Sequence, residues 1–178
     1  LAVAFAAGCG GLPAIPRRPA PSMADAVGWI RFADGRYTLV LPRVEMGQGT
    51  LTALKQVACE ELGIDWARLE TRLPATDAMT PVRATVGSES VRDFALPLAR
   101  ACAALREAVA AGRTAGPIDP RPLPAGALRS TRAGRWVGRA VPLEQGEAIV
   151  RGAPLYAADV RRPGMRFGRV LRAPCAPE

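Results

Sequence analysis

The stretch from Trp29 to Gly63 constrains this chain more than any other. Val27, Trp29 and the run Tyr37-Thr38-Leu39-Val40-Leu41 have strand composition, and Asp34-Gly35 is the residue pair favoured by two-residue hairpin turns. Trp29 to Val44 is therefore predicted as a β-hairpin. Glu45-Met46-Gly47-Gln48-Gly49-Thr50 follows at once, and then Leu51, Leu54, Ala58 and Leu62 mark one apolar face of a helix over 51–62 that Gly63 stops. A hairpin that passes through a glycine-flanked turn into a helix must fold as a mixed α and β unit.

The pattern continues with a strand around Leu69 to Leu73 and a small, polar loop from Pro74 to Gly87. A second helix is predicted from Val91 to Ala111, with the stripe Val91, Phe94, Leu98, Ala101 or Cys102, Leu105 and Val109. Pro97 should lie in its first turns or bend it. Residues 22–112 thus read as a β-β-α-β-α unit of α+β class. Residues 113–134 are rich in Gly, Pro, Ala and Arg without periodicity and are expected to be a linker. From Trp136 a further unit opens over 135–178, with strands expected in Ala153 to Val160 and Met165 to Leu171.

Composition narrows the functions open to such a fold. The chain of 178 residues has no histidine, which excludes a histidine-dependent triad, a histidine general base and most catalytic zinc sites. Its four cysteines, Cys9, Cys59, Cys102 and Cys175, never form a CxxC pair, so no iron–sulfur or zinc motif is encoded locally. Cys59 and Cys102 sit among alanines in helical patterns and are expected to be plain buried thiols. The net charge of +8 comes almost wholly from scattered arginines, Lys55 being the one lysine. No basic helix and no row of aromatics accompanies that charge, so nucleic acid is not the expected partner.

Chemistry concentrates at two turns. Glycines in Gly47-Gln48-Gly49-Thr50 let the main chain approach a ligand closely, the free N–H groups of a helix start favour an anion, and Gln48 offers a donor and an acceptor. A tight turn with no ligand would use the same residues. Gly87-Ser88-Glu89-Ser90-Val91 repeats the device with hydroxyls, where ordinary capping by serine is the plain reading.

The string Val44 to Leu54 (VEMGQGTLTAL), continued by Glu60-Glu61-Leu62-Gly63, resembles the molybdopterin-binding large subunits of the xanthine dehydrogenase and aldehyde oxidase family, above all the isoquinoline 1-oxidoreductase β-subunit group. Gly87-Ser88-Glu89-Ser90-Val91-Arg92 resembles that group's second cofactor-contacting segment. Trp136-Val137-Gly138-Arg139, Gly152, Tyr156, Ala158-Asp159-Val160 and Pro163-Gly164-Met165 resemble the stretch entering its hammerhead-like domain. The resemblance implies a molybdenum hydroxylase that oxidises aldehydes or N-heterocycles with water as oxygen source. It places Gly47, Gln48, Gly49 and Thr50 on one side of a molybdopterin, expected as the cytosine dinucleotide, and Gly87, Ser88, Ser90 and Val91 on the other. The metal would be held by the pterin, with no protein ligand here, and 2Fe-2S clusters would reside in a small partner subunit.

The family's base is a glutamate near the C-terminus of a chain several times longer, without a counterpart here. Glu45, Glu60, Glu61 and Glu89 are the available carboxylates, and each is expected to be solvated. The chain is accordingly expected to be an N-terminal part of such a subunit, inactive without the remainder. Residues 1–21 read as an export-signal remnant and a Pro/Arg linker, too short to span a bilayer, which points to a periplasmic or membrane-associated protein. The alternative is a non-catalytic exported basic scaffold, lipid-anchored at Cys9.

Overall fold

Alternating apolar residues on either side of Asp34-Gly35 build the centre of a sheet. The computed structural model describes residues 2–3, 28–41, 43–73, 75, 84–113, 115–118, 126–153 and 156–171. Strands β1 (Ala2–Val3), β2 (Ile30–Ala33), β3 (Arg36–Val40), β4 (Leu69–Arg72) and β5 (Pro117–Ile118) join in the order β4-β3-β2-β1-β5. The hairpin β2–β3 is antiparallel and in register from Ile30↔Leu39 to Ala33↔Arg36 across the Asp34-Gly35 turn, whose two residues both have positive φ. Strand β4 runs parallel to β3, as it must when a helix makes the crossover. Residues at the very start of the chain, read as part of an export segment, belong to the sheet as β1, pairing with β2 and β5.

Helix α1 (Thr50–Leu62) is that crossover. Gly63, at φ 68°, ends it by donating its N–H to Glu60 O (3.3 Å) while Ile64 N reaches Cys59 O (3.2 Å), the paired bonds that close a helix on a left-handed residue. The second predicted helix is broken into α2 (Glu89–Arg92) and α3 (Ala95–Ala110). Pro97 explains the break, because its ring has no N–H for the carbonyl four residues back, and that residue is Asp93, in the gap. The break also corrects the predicted stripe. Val91 is exposed on α2, whereas Phe94, Leu98, Ala101, Cys102 and Leu105 are buried.

Helices α1 and α3 pack against each other, and α3 lies on β1, β2 and β5. Their shared face is built of small residues, Ala58, Cys59, Ala101, Cys102 and Ala108, which let the two backbones approach closely. Each alanine removes little area from water, so Trp29, Ile30, Leu39, Leu54, Leu98 and Leu105 supply most of the apolar burial. Trp29 stacks on Phe94 at 5.2 Å between ring centroids.

The chain divides into two compact units, Leu1–Glu144 and Gln145–Glu178. The described part of 113–134 is not a plain linker, since Pro117–Ile118 form β5 and Arg129 and Ser130 bind Glu61 of α1 as set out below. The second unit holds a short helix α4 (Gly146–Val150), an Arg151–Glu147 ion pair at 2.7 Å and a single 3-10 turn over Ala157–Asp159. No strand forms among its described residues, where two were expected. A strand persists only when a neighbour pairs with it, and neither stretch has one. Val150, Val160, Phe167, Val170 and Leu171 remain exposed.

Candidate cofactor-binding site

The turn between β3 and α1 closes on itself. Gly47 and Gly49 adopt φ 97° and 76°, which aims alternate amides at one point. That point is occupied by the Glu45 carboxylate. Its Oε1 accepts from Gly47 N (2.9 Å) and Gly49 N (3.0 Å), and its Oε2 from Leu51 N (2.8 Å). Two of the amides expected to be free at the helix start, those of Gly49 and Leu51, are thus already paired, and Glu45 is a cap rather than a solvated carboxylate. Gln48 folds over the outer side, accepting from Met46 N (2.6 Å) and donating from Nε2 to Val44 O (2.8 Å). Gly47 and Gln48 are exposed, Gly49 is half-buried, and Thr50 is only 4% exposed, inside the first turn of α1.

The second predicted segment is stitched to the first. Arg43, buried with its guanidinium 3.7 Å from the Phe94 ring centroid, donates from Nη1 to Ala84 O (3.0 Å), and Val44 N donates to Thr85 Oγ1 (3.0 Å). Gly87 and Ser88 are exposed, Ser90 is half-buried and Val91 is exposed. Ser88 does not cap α2 with its hydroxyl as expected; it sits at φ 54°, and the bond there runs from Glu89 N to Val86 O (3.4 Å). Glu89 lies over Gly87 and 3.5 Å from Arg92. Exposed Val44, Met46, Val86 and Val91 flank these polar groups, so the surface offers amide and hydroxyl groups between aliphatic walls.

Three further carboxylates tie the segment 127–144 to α1 and its surroundings, and sequence reasoning missed all three ties. Glu61, with no exposed surface, accepts at Oε1 from Arg129 N (2.9 Å), Ser130 N (2.8 Å) and Ser130 Oγ (2.7 Å). Arg106 stands 3.6 Å from its other oxygen and donates to its backbone carbonyl. Glu60 accepts from Trp136 N (2.7 Å) and Val137 N (3.2 Å), and Gly134 leaves room where a Cβ would strike that carboxylate. Burial pushes the Glu60 carboxyl up, but the amides of Trp136, Val137 and Arg135 and the Arg129 charge together hold it below its ordinary value. Glu144 accepts from buried Lys55 (2.6 Å), Thr71 Oγ1 (2.9 Å) and Trp66 Nε1 (3.0 Å), and its own N–H donates to Thr52 Oγ1 (2.9 Å). The adjacent Leu143 covers Gly49. The one signal in the sequence was the Glu60-Glu61 pair at a helix end that also carries the apolar face.

Cys59 and Cys102 are buried thiols, as expected. Burial pushes Cys59 up to about 12, Lys55 opposing it, and raises Cys102 well above the thiol range. Cys9 and Cys175 lie outside the described residues. Among the described residues no three His, Cys, Asp or Glu side chains gather as for a metal ion, and no helix is long and apolar enough to cross a membrane.

A 45-residue stretch is 47% identical to the isoquinoline 1-oxidoreductase subunit beta of Brevundimonas diminuta, covering 25% of this chain and 6% of that protein. The molybdopterin cofactor-binding domain family matches residues 3–119, which takes in β2 to β5, α1, α2, α3 and both glycine-bearing turns. This chain therefore belongs to the molybdopterin cofactor-binding domain family.

Proposed function

We propose that the chain holds one face of the molybdopterin in a molybdenum hydroxylase, acting with the remainder of a large subunit and an iron–sulfur small subunit on aldehydes or N-heterocycles. What supports this reading is that the Arg43–Ala84 and Val44–Thr85 bonds tie together the stretches of chain that lead into the two turns. When bound, the molybdenum cofactor, taken here as the cytosine dinucleotide, supplies two-electron oxidation with oxygen from water.

The chain's own part is to bind and orient. An amide oxygen has two lone pairs and an amide nitrogen two hydrogens, so Gln48, using one of each within its loop, keeps one of each for a ligand. Gly47 and Gly87 put bare main chain at the surface, Ser88 and Ser90 add hydroxyls, and Val91 with Val44 and Met46 offers apolar contact to a flat ring system. Thr50 supports the loop from within, and Gly49 lets Leu143 sit against it. Glu45, Glu60, Glu61 and Glu89 are all engaged with amides or arginines, so none of these four is offered as the proton-abstracting base.

The test is molybdenum content of the assembled enzyme carrying Gln48→Ala or Gly49→Val. Loss of one or two hydrogen bonds of about 1–1.5 kcal/mol each should lower cofactor retention by about tenfold for Gln48→Ala with little change in melting temperature. Gly49→Val should lose cofactor and stability together, because valine is strained at that positive φ. Full molybdenum occupancy in Gln48→Ala would refute the assignment.

A further inference from the structure

We propose that Glu45 is the resident anion of the 47–51 loop, a positioning residue whose carboxylate takes the amides that a cofactor phosphate would otherwise use. Two oxygens of one side chain accept from Gly47 N, Gly49 N and Leu51 N, all within 2.8–3.0 Å. The alternate spacing of the donors follows from the positive φ of both glycines, which turns every second N–H inward to form an anion-binding concavity. Bonds from N–H to a carboxylate are charge-assisted and stronger than neutral ones. The same loop is locked on its outer side by Gln48, through Met46 N and Val44 O, so both faces of the turn are fastened by its own side chains.

The electrostatics follow from this occupancy. A phosphate reaching for these amides would have to expel Glu45 and then stand beside its displaced negative charge. The concavity is therefore closed to anions, and the loop meets its ligand through the Gln48 carboxamide and the uncovered glycine backbone instead. What that outer face binds rests on the function proposed above; the closure of the concavity does not.

The experiment uses the 178-residue chain labelled with 15N and titrated with inorganic pyrophosphate and, separately, formate. In the wild type the amide resonances of Gly47, Gly49 and Leu51 should not move. Glu45→Ala should melt lower by roughly 4–8 °C. Either anion should then shift those three resonances and restore part of the lost melting temperature, a rescue that a general loss of packing would not show. Saturable movement of the three amides in the wild type overturns the proposal, as does a folded Glu45→Ala chain indifferent to both anions. Should Glu45→Ala fail to fold, the wild-type titration decides alone. Molybdenum retention in Gln48→Ala enzyme tests the cofactor reading separately, so either idea can fail while the other stands.

Discussion

Removing the Glu61 carboxylate should be the most damaging single change to the first unit. Glu61→Ala strips the acceptor from Arg129 N, Ser130 N and Ser130 Oγ and takes the opposite charge away from Arg106. A buried donor left without a partner costs about 1–3 kcal/mol, and removing one member of a buried charge pair about 3–5 kcal/mol. The two estimates overlap because they count the same desolvated groups. Arg106 also keeps its bonds to the Glu61 and Ala127 carbonyls, so we expect about 3–5 kcal/mol in all. Against a typical total of roughly 5–15 kcal/mol that is about a fifth or more. Urea unfolding followed by tryptophan fluorescence should show the midpoint falling by roughly 2 M. Glu61→Gln, which keeps an acceptor oxygen but not the charge, should lose about half as much. Amide exchange at Arg129 and Ser130 should accelerate in Glu61→Ala ahead of exchange in β3. A loss below about 1 kcal/mol, or protected Arg129 and Ser130 amides in that variant, would refute the claim that Glu61 pins this segment.

Other outcomes follow from the same contacts. Glu60 is held below its ordinary value near 4.5 in the folded chain, so its contribution is full above that value and is lost as pH falls through the lower folded one. Glu60→Gln should therefore differ from the wild type in urea midpoint at neutral pH and converge with it in acid; a constant gap across the acid limb would contradict the assignment. With Cys9 and Cys175 replaced by serine, Cys59 and Cys102 should react with a thiol reagent only as fast as the chain unfolds, since burial keeps both as thiols. Fast labelling of the folded chain would count against their burial. Pro97→Ala returns an N–H opposite the Asp93 carbonyl and should join α2 to α3, seen as new amide protection at residue 97 with a stability change within about 1 kcal/mol.

Local rules made most of the first unit legible. Asp34-Gly35 has a mechanism for turning a hairpin, Gly63 has one for stopping a helix, and the apolar spacing of Leu51, Leu54, Ala58 and Leu62 places one face of α1 inside. The position of Pro97 implied an interruption of the helix, whereas the stacking of Phe94 on Trp29 and under Arg43 just before it is a tertiary matter that spacing does not show. Residues 127–144 showed no periodicity because they form no regular helix or strand, and their apolar contacts, Trp136 on Trp66 and Leu143 at Gly49, are isolated. Their anchors are single carboxylates accepting from backbone amides at irregular spacing, and nothing in the sequence marks an amide that will be bound. Strand propensity misled in the second unit for a related reason: Tyr156 to Val160 and Met165 to Leu171 suit a sheet only if a neighbour pairs with them.

The cofactor loop shows the same division between what spacing reveals and what geometry decides. A glycine pair between a strand and a helix announces a concavity of amides, and Gly47 and Gly49 do form one. The pair carries no information about whose negative charge fills it. That depends on whether a carboxylate lies within reach along the chain, and Glu45, two residues before Gly47 and six before Leu51, spans the full set of donors once both glycines turn left-handed. An acidic residue just ahead of such a pair thus changes the chemistry expected of the motif, from a phosphate seat to a self-capped loop with its recognition groups on the outside. In this chain the exposed groups beside the closed concavity are the Gln48 carboxamide and Ser88, which present both donors and acceptors.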